Sequence, residues 1–156
     1  MRIWPLMILL CAAPLAAEKY SGPRPEKPDV PYLVHANNLV ATEVAEAKEE
    51  DRKNDIVYVI PGAASPARTP LASPILLILT DQLQAEKLQL FQVQSKGGQR
   101  EILFSRKKKM VARPIRMNVD RLDDNLYKLE IDEPLENGEY SLTPEGSNQV
   151  FCFKVY

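Results

Sequence analysis

The feature that most constrains this chain is its last stretch, residues 135–156. Val150 to Tyr156 is rich in β-branched and aromatic residues, and Leu135 to Leu142 carries Leu135, Tyr140 and Leu142. Between them, Thr143-Pro144-Glu145-Gly146-Ser147-Asn148 consists almost wholly of turn formers. The pattern predicts a terminal β-hairpin with a somewhat long loop. Side chains alternate along a strand, so Phe151, Phe153 and Val155 share one face and point to a core. A chain that ends on a core-facing strand is all-β at that end, and the rest has to supply partner strands.

The opening residues are of another kind. Met1-Arg2 is a short positive segment, Ile3 to Leu15 is apolar, and Ala16-Ala17 puts small residues before Glu18-Lys19. This is the pattern of a secretory leader cleaved near Ala17. The apolar run is too short to cross a bilayer, which takes about 20 residues. No transmembrane span is expected in the mature chain, which would be exported to a periplasmic or extracellular space. Cleavage there removes Trp4 and Cys11 and leaves Cys152 as the single cysteine, so no intramolecular disulfide is expected even in an oxidising compartment. A domain of this length can bury a sufficient core without such a staple. The charges nearly balance, with 20 Lys and Arg against 21 Asp and Glu and a formal net charge of −1. No general basic field is available to attract nucleic acid, and none is expected as a partner.

Residues 18–31 carry Pro23, Pro25, Pro28 and Pro31 among charged and small residues, which predicts an extended linker. The domain then spans 32–156. Tyr32 to Ala36 reads as a first strand, turned by Asn37-Asn38. Leu39 to Lys48 carries both helical and strand signals. Alternation at Val40, Thr42 and Val44, with the strand-like Asp55 to Ile60 beyond, favours a hairpin with a charged tip at Glu49–Asn54. Pro61, Pro66, Pro70 and Pro74 punctuate a loop that cannot be a central strand and would skirt a sheet edge or cross between sheets. Ile75 to Thr80 is apolar on both faces, as in a buried strand. Two more strands, Lys87 to Gln94 and Gln99 to Ser105, surround Ser95-Lys96-Gly97-Gly98. Ile115, Met117 and Val119 form another, Asp120 to Asn125 turns the chain, and Tyr127, Leu129 and Ile131 alternate in the next. About nine short strands at intervals of roughly 8–12 residues predict an antiparallel sandwich or barrel.

Leu135-Glu136-Asn137-Gly138-Glu139-Tyr140 resembles the tyrosine-corner entry of immunoglobulin-like and fibronectin type III sandwiches. In those folds a turn precedes a Tyr whose hydroxyl bonds backbone a few residues upstream. Asn137 stands where proline is typical, and Tyr140 comes one residue early. The core Trp and cysteine pair of antibody domains are missing. The resemblance implies an immunoglobulin-like sandwich of about seven to nine strands, with Leu135, Gly138, Tyr140, Phe151 and Phe153 as structural residues. It implies no ligand.

No established catalytic motif, glycine-rich phosphate loop or cofactor fingerprint is present, and no cofactor is expected. His35 is the only histidine, so a histidine-rich metal site is excluded and a hydrolase would have to rely on that residue. A His35–Cys152 thiol dyad competes with burial of Cys152 as a small hydrophobe, which its Val150, Phe151 and Phe153 surroundings favour; a Cys152-linked dimer is a third option. Asp120, Asp123, Asp124 and Asn125 offer oxygen ligands but lack the glycine and glutamate of a calcium-hand loop, and turn chemistry accounts for them. Arg106-Lys107-Lys108-Lys109 reads as a solvated connection that discourages edge pairing. Together with Pro66 and Arg68 in the proline-rich loop, these four cations are the expected partner contacts. The expectation is an exported, non-enzymatic binding or structural module, monomeric or weakly self-associating, at the cell envelope or outside it. The alternative is a subunit of an extracellular assembly, pairing through an open strand edge or the 61–74 loop.

Overall fold

The computed structural model describes residues 19–105 and 112–156. The expected leader and the Arg106–Lys109 run lie outside the described residues. Thirteen strands and one 3-10 turn follow in chain order: β1 (Tyr32–His35), β2 (Asn38–Ala41), β3 (Glu43–Glu46), β4 (Lys48–Arg52), β5 (Asp55–Ile60), β6 (Arg68–Thr69), β7 (Ile75–Leu79), the 3-10 turn Ala85–Lys87, β8 (Leu88–Lys96), β9 (Gln99–Ser105), β10 (Met117–Asp123), β11 (Leu126–Ile131), β12 (Gly138–Pro144) and β13 (Gln149–Val155). The chain is all-β, and every pairing is antiparallel except that of β6 with β13.

Two sheets make the fold. The first has five strands in the order β10-β11-β7-β1-β2. The second runs β3-β13-β12-β8-β9-β5-β4, with β6 beside β13. The five-stranded sheet lies on the wall formed by β8, β12 and β13. Leu33, Leu76, Ile78, Leu129 and Ile131 meet Leu90, Tyr140, Leu142, Phe151 and Phe153 across that interface. This is the expected sandwich, and the terminal hairpin supplies its wall in the register Tyr140 to Phe153 and Leu142 to Phe151. The corner bond is present: Tyr140 Oη donates to Glu136 O at 2.8 Å. Leu135 is buried in the same core. An all-β fold with a tyrosine corner does not by itself identify an immunoglobulin module.

The strand count exceeds the expected nine because the second sheet closes on itself. Its end strands, β3 and β4, are successive in the chain and separated by Ala47 alone. Glu43–Glu46 pairs with β13, Ala47 N–H donates to Asn148 O at 2.7 Å, and Lys48–Arg52 pairs with β5. One bent strand thus joins both ends of the sheet, which makes a small barrel with its own core of Ala47, Ile60, Phe91, Val93, Ile102, Val150 and Cys152. Alternation sends odd-numbered β13 residues to the sandwich and even-numbered ones into the barrel, so the terminal hairpin serves both cores.

Several boundaries differ from those read in the sequence. The expected charged tip Glu49–Asn54 is mostly strand: only Lys53 and Asn54 turn, because Glu49 to Arg52 pair in register with β5. Asp120 to Asp123 likewise belong to β10, and the turn is Asp124-Asn125. Ile115 forms an isolated bridge to Leu90 instead of starting a strand. The proline-rich segment has no regular structure, yet it is tied to the domain. Arg24 pairs with Asp123, and Asp29 N–H donates to Leu79 O at 2.7 Å. The Asp29 carboxylate accepts from the amides of Asp81, Gln82 and Leu83.

Candidate functional site

The barrel interior is graded from end to end, and the strand register sets the grading. Along β3–β4 the inward residues are Glu43, Ala45, Ala47 and Glu49. Along β9 they are Arg100, Ile102 and Phe104, and along β12 Glu139, Ser141 and Thr143. One end is therefore charged, the middle is apolar, and the other end is a mixed aromatic and polar mouth.

The charged end is closed. Arg100 has no exposed surface. It donates to Glu43 at 2.6 and 3.1 Å, to Pro61 O at 2.6 Å and to Gly62 O at 2.9 Å. Glu139 lies 3.9 Å from the guanidinium and accepts the Ser65 N–H at 3.0 Å. Burial opposes the arginine's charge, but the Glu43 hydrogen bonds and the surrounding charges, Glu43 and Glu139 among them, together outweigh it and hold the guanidinium protonated. Ser65 Oγ donates to Cys152 O at 3.1 Å. Every polar atom of this cluster is matched, and it seats the start of the proline-rich loop over the barrel. Among the described residues no buried side-chain polar atom lacks a partner, so this end is a plug.

The opposite end is open. A cavity of about 310 Å³ is bounded by Ala47, Tyr58, Phe91, Ile102, Phe104 and Val150 below, and by Glu49, Gln89, the end of β12 (Thr143 and Pro144) and the β12–β13 loop 145–148 at its rim. Phe104 stands edge-on to Tyr58, with centroids 5.5 Å apart, and nearly edge-on to Phe91 at 5.6 Å. Successive rings at right angles wall a corner instead of stacking into a closed slab. Tyr58 Oη donates to Glu49 Oε2 at 3.1 Å. Burial first, and the Glu49 charge second, push the Tyr58 phenol above its ordinary range, so it stays a neutral donor. Gly146, at φ 75°, turns the loop over the rim. A cavity of this size with an apolar floor and a few polar groups at its edge has the form of a small-ligand site. No protein-family model, curated protein or solved structure matches the chain.

The residues singled out in the sequence lie elsewhere. Pro66 and Arg68 are exposed beside β6, and the Arg68 guanidinium sits 4.3 Å from the centroid of the Tyr156 ring. Arg106, Lys107, Lys108 and Lys109 are outside the described residues. His35 is exposed at the β1–β2 turn, whereas Cys152 is fully buried in the barrel, so the structure does not bring the two together. Burial pushes the Cys152 thiol up to about 11, which leaves it inert as a nucleophile. The acidic turn is spent on ion pairs, Asp123 with Arg24, Asp124 with Arg121 and Asp120 with Lys128. Among the described residues no acidic, Cys or His cluster is arranged to hold a metal ion.

The mouth residues come from separate strands and carry no motif. The available signal was local: β5 is apolar on both faces, with Val57 and Val59 alternating against Tyr58 and Ile60. Such strands need two apolar environments, here the barrel interior and its outer side.

Proposed function

We propose that this protein is an exported, non-enzymatic binding module whose ligand site is the open mouth of the barrel. The carrying observation is the cavity floored by Tyr58, Phe91 and Phe104, with the opposite end sealed by Arg100 and its carboxylates. A barrel plugged at one end and open at the other receives a ligand from one side only. The secretory pattern of residues 1–17 supports export, and the aromatic floor supports an apolar or aromatic body in the ligand.

Trp4 is the only tryptophan of the chain and leaves with the leader. Phe104→Trp in protein beginning at Glu18 therefore places a single reporter in the mouth. A panel of small aromatic and aliphatic compounds is titrated against its emission, and against the ring signals of Tyr58, Phe91 and Phe104 in the unsubstituted protein by NMR. Saturable shifts confined to those rings and to residues 143–148 are expected. A panel that moves none of them overturns the site.

A further inference from the structure

We propose that the barrel mouth selects an organic cation, an ammonium whose charge is spread over small alkyl groups. This inference rests on the mouth being a ligand site and names the chemistry it prefers.

The argument begins with charge. Glu49 and Glu145 line the cavity, and among the described residues no Lys or Arg does. Glu49 is exposed at the rim, and among the described residues its carboxylate has the Tyr58 hydroxyl as its one direct partner. Among the described residues neither Glu49 nor Glu145 is in an ion pair, whereas other carboxylates nearby are matched, Glu50 and Glu101 with Arg52 and Glu43 with Arg100. Glu50 and Glu101 on the outer wall and Glu43 at the plug are thus neutralised, whereas the pair at the mouth is unmatched among the described residues.

The rings add a second, independent preference. Three aromatic side chains meet at the cavity, with Phe104 between two near-perpendicular neighbours. Ring faces are electron-rich and attract cations, and an alkylated ammonium fits them best because its methyl groups pack as apolar surface while the charge remains. The other polar groups at the rim, Gln89, Thr143, Ser147 and Asn148, are neutral. An anionic ligand would meet two carboxylates with no compensating donor cation among the described lining residues. A neutral one would use the floor and leave the rim charge idle.

Three probes of one shape separate these cases: choline, its neutral isostere 3,3-dimethylbutan-1-ol, and the anion 3,3-dimethylbutanoate. Each is titrated into protein beginning at Glu18 by NMR and calorimetry, at low and at physiological salt. Choline is expected to bind about tenfold tighter than the alcohol, with the carboxylate weakest. Glu49→Gln is expected to weaken choline about fivefold and leave the alcohol unchanged, since the floor is untouched. Equal binding of choline and the alcohol, insensitive to Glu49→Gln, overturns the cation preference and leaves the mouth as an uncharged pocket. Tighter binding of the carboxylate overturns the preference outright. Shifts at the three rings from none of the probes, nor from the neutral compound panel, overturn the site itself. Retention of the native NMR fingerprint in Glu49→Gln separates a binding effect from a folding one.

Discussion

Arg100 and Glu43 face each other across the barrel, from β9 and from the bent strand that closes the sheet, with Nη1 and Oε1 2.6 Å apart. The arginine is fully buried, and Glu139 stands on its other side. The ion pair joins a strand from the middle of the sheet to the strand that would otherwise be an open edge. Removing one partner of such a buried group leaves an uncompensated charge. Arg100→Met is therefore expected to lower stability by about 3–5 kcal/mol, read as a fall in the urea midpoint. Glu43→Gln should cost less, because the amide still accepts a hydrogen bond and Glu139 still faces the guanidinium. Equal midpoints for Arg100→Met and the native protein would show the plug to be dispensable.

Tyr140 carries the corner bond to Glu136 O and stacks on Phe153, with centroids 5.7 Å apart. Tyr140→Phe keeps the ring and loses the hydroxyl, so the expected loss is about 0.5–1.5 kcal/mol. Tyr140→Ala also opens a cavity in the sandwich core and should cost about 3–5 kcal/mol. Paired denaturation curves check both values.

Cys152 makes stability depend on alkaline pH. Its folded thiol sits at about 11 against 9.0 for an exposed one, chiefly through burial. The unfolded chain therefore loses that proton first. The contribution is fully present below about pH 9 and is lost as the pH rises toward 11, by about 2–3 kcal/mol in all. Cys152→Ala should flatten this part of the profile. In the native state at pH 8 the thiol should resist aromatic disulfide reagents and react only on unfolding, and no Cys152-linked dimer should form on oxidation.

Asp29 fastens the proline-rich segment by accepting three backbone amides from residues 81–83. Although burial works the other way, those bonds together hold its carboxyl below the usual range. The stability it adds is present above the ordinary carboxyl range and is lost as the pH falls through the lowered value. Asp29→Asn should speed hydrogen exchange at Asp81, Gln82 and Leu83 and lower stability by roughly 1 kcal/mol. Deleting residues 18–31 should destabilise the domain by more. A deletion without effect would restore the segment to a simple spacer.

The strands that the sequence revealed most clearly are those with one unambiguous environment. Ile75 to Leu79 is apolar on both faces because Leu76 and Ile78 enter the sandwich core while Leu77 packs beside Tyr32 on the opposite side. In the terminal hairpin, Phe151, Phe153 and Val155 alternate without interruption. The Glu43–Arg52 stretch was harder to read because its inward residues, Glu43, Ala45, Ala47 and Glu49, are not hydrophobic enough to mark a buried face. Two of them are alanines, and Glu43 is half-buried against Arg100, which arrives from a strand far along the chain. The prolines predict a loop that skirts a sheet edge or crosses between sheets, but not that Arg100 would hold its Pro61 and Gly62 carbonyls from beneath.

By itself the sequence determined that the chain is all-β, where most strands run, and which face of the last strand is apolar. Those properties depend on alternation and turn chemistry, which act between near neighbours. Only the tertiary structure decided that the second sheet closes into a barrel, that its charged end is plugged, and that Tyr58, Phe91, Phe104 and Glu49 meet at the open end. Closure depends on the register of β3 with β13 and of β4 with β5. Register is a long-range property, set when distant strands find the one pairing that buries their apolar residues and matches every buried charge.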